Sequence, residues 1–117
     1  MRMYRVAWLI LAALVFGTAC GGSQGGAQIN VQANEFKFEP ASYTVNANQP
    51  VRVTMRNTGT VLHDWTVQGQ DQQVHLEVQA NQTGTTQFTP TKPGTYRVVC
   101  TQPGHEQAGM VGQLVVQ

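Results

Sequence analysis

The stretch GTYRVVCTQPGHEQAGM, residues 94–110, decides both the fold and the site predicted for this chain. Its first part alternates between polar and apolar side chains and ends at Cys100, which is typical of a half-buried β-strand. Its second part contains Pro and Gly and predicts a loop that ends at Met110. Because His105 lies midway along that loop, a thiolate, an imidazole and a thioether fall within eleven residues.

A second imidazole lies upstream in RNTGTVLHDW, residues 56–65, where His63 follows a turn signal. Two histidines, one cysteine and a weak axial methionine are the ligands of mononuclear electron-transfer copper sites. The thiolate and the imidazoles bind copper in both oxidation states, and a long axial bond allows a geometry intermediate between the two. We therefore predict a site for one copper ion, cycling between Cu(I) and Cu(II), with the ligands His63, Cys100, His105 and Met110.

The chain after residue 27 is predicted to be all-β, because it shows short β-rich runs separated by Gly, Pro and Asn turns and no helical period. Residues 51–57 alternate most clearly, with their apolar side chains expected inside. Residues 35–40 are predicted as a strand and residues 80–85 as a loop. The aromatic residues expected in the core are Phe36, Phe38, Trp65, Phe88 and Tyr96. This spacing of strands and turns predicts a β-sandwich of seven or eight strands.

These elements together resemble the cupredoxins, the type 1 blue copper proteins. NTGTVLHDW is similar to the family's turn-then-histidine element, and GTYRVVCTQPGHEQAGM to its Tyr-x-x-x-Cys strand and ligand loop. Four residues separate Cys100 from His105 and four more separate His105 from Met110. This spacing is similar to that of auracyanins and rusticyanins, whereas the Cys–His gap of plastocyanins is shorter. The resemblance covers residues 28–117 and implies a cupredoxin-like Greek-key β-sandwich.

Asp64 departs from the family pattern, in which Asn or Ser commonly follows the first histidine. We predict that Asp64 accepts a hydrogen bond from Thr101, the residue after the cysteine ligand. An ionised carboxylate there would favour the oxidised, more positive copper and lower the reduction potential. The alternative is that Asp64 points to solvent.

The N-terminus predicts export and a lipid anchor. Residues 1–19 begin with two arginines and contain an apolar run, residues 6–16, that is too short to span a bilayer by itself. The segment ends in small residues before Cys20 and resembles a bacterial lipoprotein processing site, which implies lipidation of Cys20. Ordinary cleavage that leaves this cysteine free is the alternative. Residues 20–27 are a flexible Gly-rich linker, and residues 28–117 form the predicted domain.

Composition excludes some partners. Removing Arg2 and Arg5 from the seven basic residues leaves five against six acidic ones, a net charge of −1 for the processed chain. There is no basic cluster of the kind that binds nucleic acid. A disulfide between Cys20 and Cys100 is an alternative use of the two cysteines. We expect a monomer located outside the cytoplasm, anchored to the outer face of the cell membrane, or else a soluble periplasmic or secreted protein.

The family resemblance implies an electron carrier that is not an enzyme. It would carry single electrons between extracytoplasmic redox partners, such as c-type cytochromes or membrane oxidoreductase complexes, with the ring edge of His105 as the electron port. The alternative on the same fold is a periplasmic copper-storage or copper-delivery protein.

Three other metal sites are less compatible with the sequence. A two-copper centre of the cytochrome oxidase kind needs a second cysteine where Gly104 stands. A copper nitrite reductase needs an additional all-histidine site, for which only His75 remains. Zinc binds cysteine and histidine but seldom a thioether.

Overall fold

The computed structural model describes residues 26–117, so the predicted export signal (residues 1–19) and Cys20 lie outside the described residues. The described part contains nine β-strands: β1 (Ala27–Asn34), β2 (Lys37–Glu39), β3 (Ser42–Val45), β4 (Val51–Asn57), β5 (His63–Val67), β6 (Val74–Val78), β7 (Thr83–Phe88), β8 (Gly94–Val99) and β9 (Val111–Val116). No helix long and apolar enough to cross a membrane occurs among these residues.

The strands form two sheets around one core. The first sheet has the order β2-β1-β4-β7, and the second has the order β3-β9-β8-β5-β6. Strand β1 is parallel to β4 and β3 is parallel to β9, whereas the other pairs are antiparallel. The predicted all-β sandwich is confirmed, with nine strands where seven or eight were expected. Strand β2 lies inside the strand predicted over residues 35–40 but contains only three residues.

The core between the sheets is centred on Trp65, which is fully buried. Its ring lies 5.7 Å from that of Tyr43 and 6.3 Å from that of Phe88, measured between centroids. The three apolar residues predicted to face inward from β4 are fully buried, as expected. Because burying a large apolar side chain contributes about 1.5–3 kcal/mol, this core makes the sandwich a firm support for the loops at its ends.

The prediction that Phe36 is a core residue is wrong. Phe36 is 42% exposed and lies in the turn before β2, whereas Phe38 is 3% exposed as predicted. The chain reverses at residues 35–36, so that Lys37 pairs with Asn34 in an antiparallel ladder. The alternation of the two phenylalanines therefore does not extend through one straight strand.

Strand β7 begins at Thr83, inside the segment predicted to be a loop. It is an edge strand of the first sheet, and its polar side chains face solvent, so its composition resembles that of a loop. Gly84 pairs with Met55, and a Cβ at this glycine would come within 2.7 Å of Val78 Cγ2. Close packing, which the sequence does not reveal, accounts for the glycine in this strand.

Three predicted ligands lie at the ends of strands that are neighbours in the second sheet. His63 is the first residue of β5, Cys100 directly follows β8, and Met110 directly precedes β9. Strand β8 lies between β5 and β9, so these ends are adjacent. The fourth predicted ligand, His105, lies on the loop that joins β8 to β9.

Candidate metal centre

His63, Cys100 and His105 converge at one end of the sandwich. Their ligand atoms all lie within 4.8 Å of one another. The two Nδ1 atoms are 3.1 Å apart, and Cys100 Sγ lies 3.4 Å from His105 Nδ1 and 3.9 Å from His63 Nδ1. Within residues 26–117, this is the only group of three or more His, Cys, Asp or Glu side chains that converges so closely.

Met110 is tied to the same loop through its backbone. Its carbonyl accepts a hydrogen bond of 3.2 Å from Cys100 N–H, and its N–H donates one of 3.0 Å to the carbonyl of His105. The Met110 side chain is fully buried. The loop of residues 100–110 is therefore closed at its base, where the backbones of Cys100 and Met110 meet.

Asp64 supports this loop from β5 and does not point to solvent. Its carboxylate is fully buried and accepts hydrogen bonds from Thr101 N–H at 3.0 Å and from the Thr101 hydroxyl at 2.8 Å. Gln102 Nε2 donates at 3.0 Å and the Thr66 hydroxyl at 2.6 Å. Burial raises the pKa of Asp64, but these hydrogen bonds outweigh it and lower the pKa below its usual value.

The thiol of Cys100 is buried and lies close to the backbone of Asp64, whose N–H donates to Sγ at 3.3 Å. Burial raises the pKa of Cys100, and the negative carboxylate of Asp64 adds to this effect. The backbone hydrogen bonds from Asp64 and Gln102 act in the opposite direction but do not reverse the shift. In the metal-free protein the group is therefore a thiol, and a metal cation is needed to stabilise the thiolate.

His105 is the more accessible of the two imidazoles. The ring of Phe36 packs edge-on against it at a centroid distance of 4.9 Å. Burial and the neighbouring His63 lower the pKa of His105, although Asp64 and Glu35 oppose the shift. A lowered pKa keeps the imidazole neutral near pH 7, which is the form that binds a metal.

His63 is fully buried, and its second ring nitrogen, Nε2, also has a hydrogen-bonding partner. Its Nε2 lies 3.0 Å from Glu35 Oε1, and the same oxygen accepts hydrogen bonds from Thr60 N–H at 2.8 Å and Val61 N–H at 3.2 Å. Burial raises the pKa of Glu35, but these three hydrogen bonds outweigh it and lower the pKa. The carboxylate is therefore ionised near pH 7.

The loop between β4 and β5 is shaped by Asn57, which is fully buried. Its Nδ2 donates to the carbonyls of Val61 at 2.8 Å and Val78 at 2.9 Å, and its Oδ1 accepts from Gly59 N–H at 2.9 Å. A Cβ at Gly59 would overlap Glu35 Oε1 and lie 2.9 Å from His63 Nε2. The loop thus leaves room for the carboxylate only because residue 59 is a glycine.

The residues named from the sequence are largely brought together, but Glu35, Phe36 and Asn57 were missed as neighbours of the site. The NTG turn is a signal for Asn57, because asparagine in a turn commonly hydrogen-bonds the loop backbone. Nothing in the sequence places the β1–β2 turn beside the histidines. His75 lies outside the ligand cluster, with its Nδ1 2.7 Å from the hydroxyl of Thr66.

The donor set fits copper better than other metals. Two imidazole nitrogens and one cysteine sulfur converge here, and the buried Met110 lies at the end of the same loop. Imidazole, thiolate and thioether are soft to intermediate ligands of the kind that copper prefers. When bound, copper would supply one-electron redox chemistry. The residues that would hold it are His63, Cys100 and His105, together with Met110 at the end of the same loop.

Comparison with known proteins identifies the class of protein to which this chain belongs. The family model for a cupredoxin-like domain matches residues 6–116. The chain belongs to the cupredoxin-like family, and the resemblance seen in the sequence is confirmed.

The chain is also similar to individual copper proteins. It is 28% identical over 105 residues to the copper-resistant cuproprotein CopI of Rubrivivax gelatinosus, covering 74% of this chain and 64% of that protein. It therefore spans less than two thirds of that relative. Auracyanin B superposes with a TM-score of 0.70 at 28% identity, over 80% of this chain and 91% of auracyanin B. The dithionite-reduced auracyanin of Roseiflexus castenholzii superposes with a TM-score of 0.70 at 22% identity, over 79% and 99% of the two chains.

Proposed function

We propose that this protein is a mononuclear type 1 copper protein that carries single electrons. The observation that carries the proposal is the convergence of His63 Nδ1, Cys100 Sγ and His105 Nδ1 within 4.8 Å. A trigonal set of this kind with a weak axial thioether is the ligand arrangement of blue-copper electron-transfer sites. The likeness to auracyanin A, described as a blue copper protein, supports it.

Rapid electron transfer requires that the ligands move little when the charge on copper changes. Strands β5, β8 and β9, at whose ends His63, Cys100 and Met110 lie, are hydrogen-bonded neighbours in the second sheet, and Asp64 ties the start of the ligand loop to β5. His105 is held by hydrogen bonds between its backbone and those of Gln102 and Met110. Ligands fixed before the metal binds give a low reorganisation cost on each electron transfer.

We propose one copper ion and no catalytic activity of the domain itself. Position 104, where a two-copper centre would need its second cysteine, is Gly104. The described residues contain one converging ligand group, so a second, substrate-binding metal has no evident ligands there.

The partners and location are also proposals. An exported chain anchored through lipidated Cys20 would meet c-type cytochromes or membrane oxidoreductases at the outer face of the cell membrane. The ring edge of His105, a partly buried residue, would be the electron port, and the nearby exposed residues Pro103, Gly104 and Gly109 would keep that surface free of bulky and charged side chains. A small, weakly polar contact suits brief encounters between redox proteins.

Copper storage or delivery is the second candidate, and the name of the CopI relative favours it. The two functions differ in what leaves the protein, because a carrier exchanges an electron and keeps its copper, whereas a delivery protein transfers the ion. Full burial of three of the four predicted ligands, His63, Cys100 and Met110, favours retention of the metal.

One experiment separates the two candidates. The copper-loaded protein is mixed first with a reduced c-type cytochrome and then, after reduction, with a Cu(I) chelator. A carrier is reduced rapidly by the cytochrome, keeps its copper in the presence of the chelator, and regains its visible band when a chemical oxidant is added. Loss of copper on each cycle, or the absence of exchange with any cytochrome, would contradict the carrier function.

A further inference from the structure

The turn between β1 and β2 approaches the predicted ligands from the first sheet, although all four ligands belong to the second sheet and its loops. Glu35 contacts His63 and Phe36 contacts His105, so two consecutive residues touch the two imidazoles. The contacts differ in kind, because one is a carboxylate hydrogen bond and the other an aromatic edge.

The hydrogen bond between Glu35 and His63 fixes the tautomer of the imidazole. An ionised carboxylate can only accept hydrogen bonds, so the proton of a neutral His63 ring resides on Nε2. Nδ1 then carries the lone pair, and it is this atom that lies near Cys100 Sγ and His105 Nδ1. The metal-binding nitrogen therefore faces the site in the form that a metal requires.

The carboxylate itself is held in place by the loop between β4 and β5. Two backbone N–H groups, from Thr60 and Val61, donate to the same Oε1 that accepts from His63. Asn57 sets the shape of this loop, and Gly59 leaves the space that the carboxylate fills. Since these groups converge on one oxygen, the contact is built into the fold and is not a chance meeting of exposed side chains.

We propose that Glu35 is a positioning residue of the metal centre, fixing the Nε2–H tautomer of His63 and favouring oxidised over reduced metal. A carboxylate on the outer nitrogen of a ligating histidine increases the basicity of the metal-binding nitrogen. It also places a negative charge close to the ion, which stabilises the higher oxidation state. The redox part of the proposal rests on the proposed copper function, whereas the tautomer part does not.

The tautomer is tested in the copper-free protein labelled with ¹⁵N, by long-range proton–nitrogen NMR correlation of the His63 ring. The expected result is the Nε2–H form in the natural protein and a mixture of both tautomers in Glu35→Ala. An Nδ1–H ring in the natural protein, or an unchanged tautomer ratio in Glu35→Ala, would overturn the proposal.

The redox effect is tested with Glu35→Gln, which keeps the shape and one acceptor oxygen and so guards against misfolding of the alanine variant. We expect the preference for Cu(II) over Cu(I) to fall about tenfold, which is about 59 mV for a one-electron couple. Glu39→Gln is the matched control, because Glu39 is an exposed carboxylate on β2 that pairs with Lys37. Equal potentials in the two variants would overturn the redox part.

The two tests distinguish a failure of this proposal from a failure of the proposed copper function. A natural protein that binds copper without a thiolate-to-copper band contradicts the proposed function. The tautomer measurement contains no copper and still decides whether Glu35 positions His63.

Discussion

Asp64 and Glu35, the two carboxylates beside the predicted ligands, contact different parts of the candidate site. Asp64 binds the start of the ligand loop through Thr101 and Gln102, whereas Glu35 binds the outer nitrogen of His63. Both have lowered pKa values and are ionised near pH 7. Each places negative charge near the metal position, so each is expected to lower the reduction potential.

Asp64→Asn should raise the reduction potential of the copper protein and reduce its stability. The amide loses the negative charge, and its NH₂ group cannot accept hydrogen bonds from Thr101 and Gln102. Leaving buried donors unpaired costs about 1–3 kcal/mol. Voltammetry and urea unfolding measure the two effects, with Asp71→Asn, an exposed carboxylate paired with Lys92, as the control. A potential that is unchanged or lower would contradict the assigned role of Asp64.

Copper uptake by the metal-free protein should release one proton near neutral pH. The pKa of Cys100 is raised, so the group is a thiol before the metal binds, whereas the lowered pKa of His105 leaves that ring already neutral. Copper affinity should therefore fall roughly tenfold for each pH unit below the thiol pKa.

Calorimetry in buffers of different ionisation enthalpy counts the protons, and Cys100→Ser provides the comparison. Uptake without proton release would mean that the thiolate exists before copper arrives.

At the scale of elements, the ladder between β5 and β8 fixes the pairing of Asp64 with Thr101. Thr66 is opposite Val99 and Val67 opposite Val98, so two steps further along the same register Asp64 lies opposite Thr101. The hydrogen bond between them is a consequence of register. The loop between β4 and β5 has no ladder, and it depends on Asn57 for its shape.

Asn57→Ala should therefore loosen the loop between β4 and β5. Three hydrogen bonds of a buried side chain are lost, and we expect a decrease of about 1–3 kcal/mol in the free energy of unfolding, with faster loss of bound copper. Thr54→Ala on the same strand, which removes one hydroxyl contact with Thr85, is the matched control. Denaturant unfolding and the rate of copper removal by a chelator provide the readouts. Equal effects in both variants would contradict a specific role of Asn57 in shaping the loop between β4 and β5.

The sequence revealed the ligand loop but not the turn that faces it. Cys100, His105 and Met110 lie close in sequence, so their types and spacing indicate one site. Glu35 is 28 residues from His63, and their contact depends on where the chain reverses before β2. Alternating phenylalanines suggested a continuous strand there, because periodicity describes faces of a strand and cannot locate a turn made without Gly or Pro. Edge strand β7 was missed in part for a related reason, since its exposed polar face resembles a loop.

At the scale of the whole molecule, the predicted ligands lie at one end of the sandwich, and the proposed docking surface lies on the ligand loop at that same end. His105 connects the two, because its Nδ1 faces the other ligands while its ring is only partly buried. Electron transfer through this ring would need no opening of the core.

A charge placed near His105 should slow electron exchange without changing the copper site. Pro103→Glu is suitable, because Pro103 is exposed on the ligand loop and avoids the positive φ of Gly104, which is 80°. We expect exchange with a cytochrome partner to fall at least several-fold, with the visible spectrum unchanged. Gln87→Glu, at an exposed position on edge strand β7, is the control. If both variants exchange electrons at the natural rate, the port lies elsewhere.

The most direct test of a type 1 copper site is the visible spectrum of the copper-loaded protein. We predict an intense thiolate-to-copper charge-transfer band at one copper per chain, which is lost in Cys100→Ala and restored after each cycle of reduction and oxidation in the natural protein. A protein that binds copper but stays colourless, or a band that persists in Cys100→Ala, would contradict the assignment.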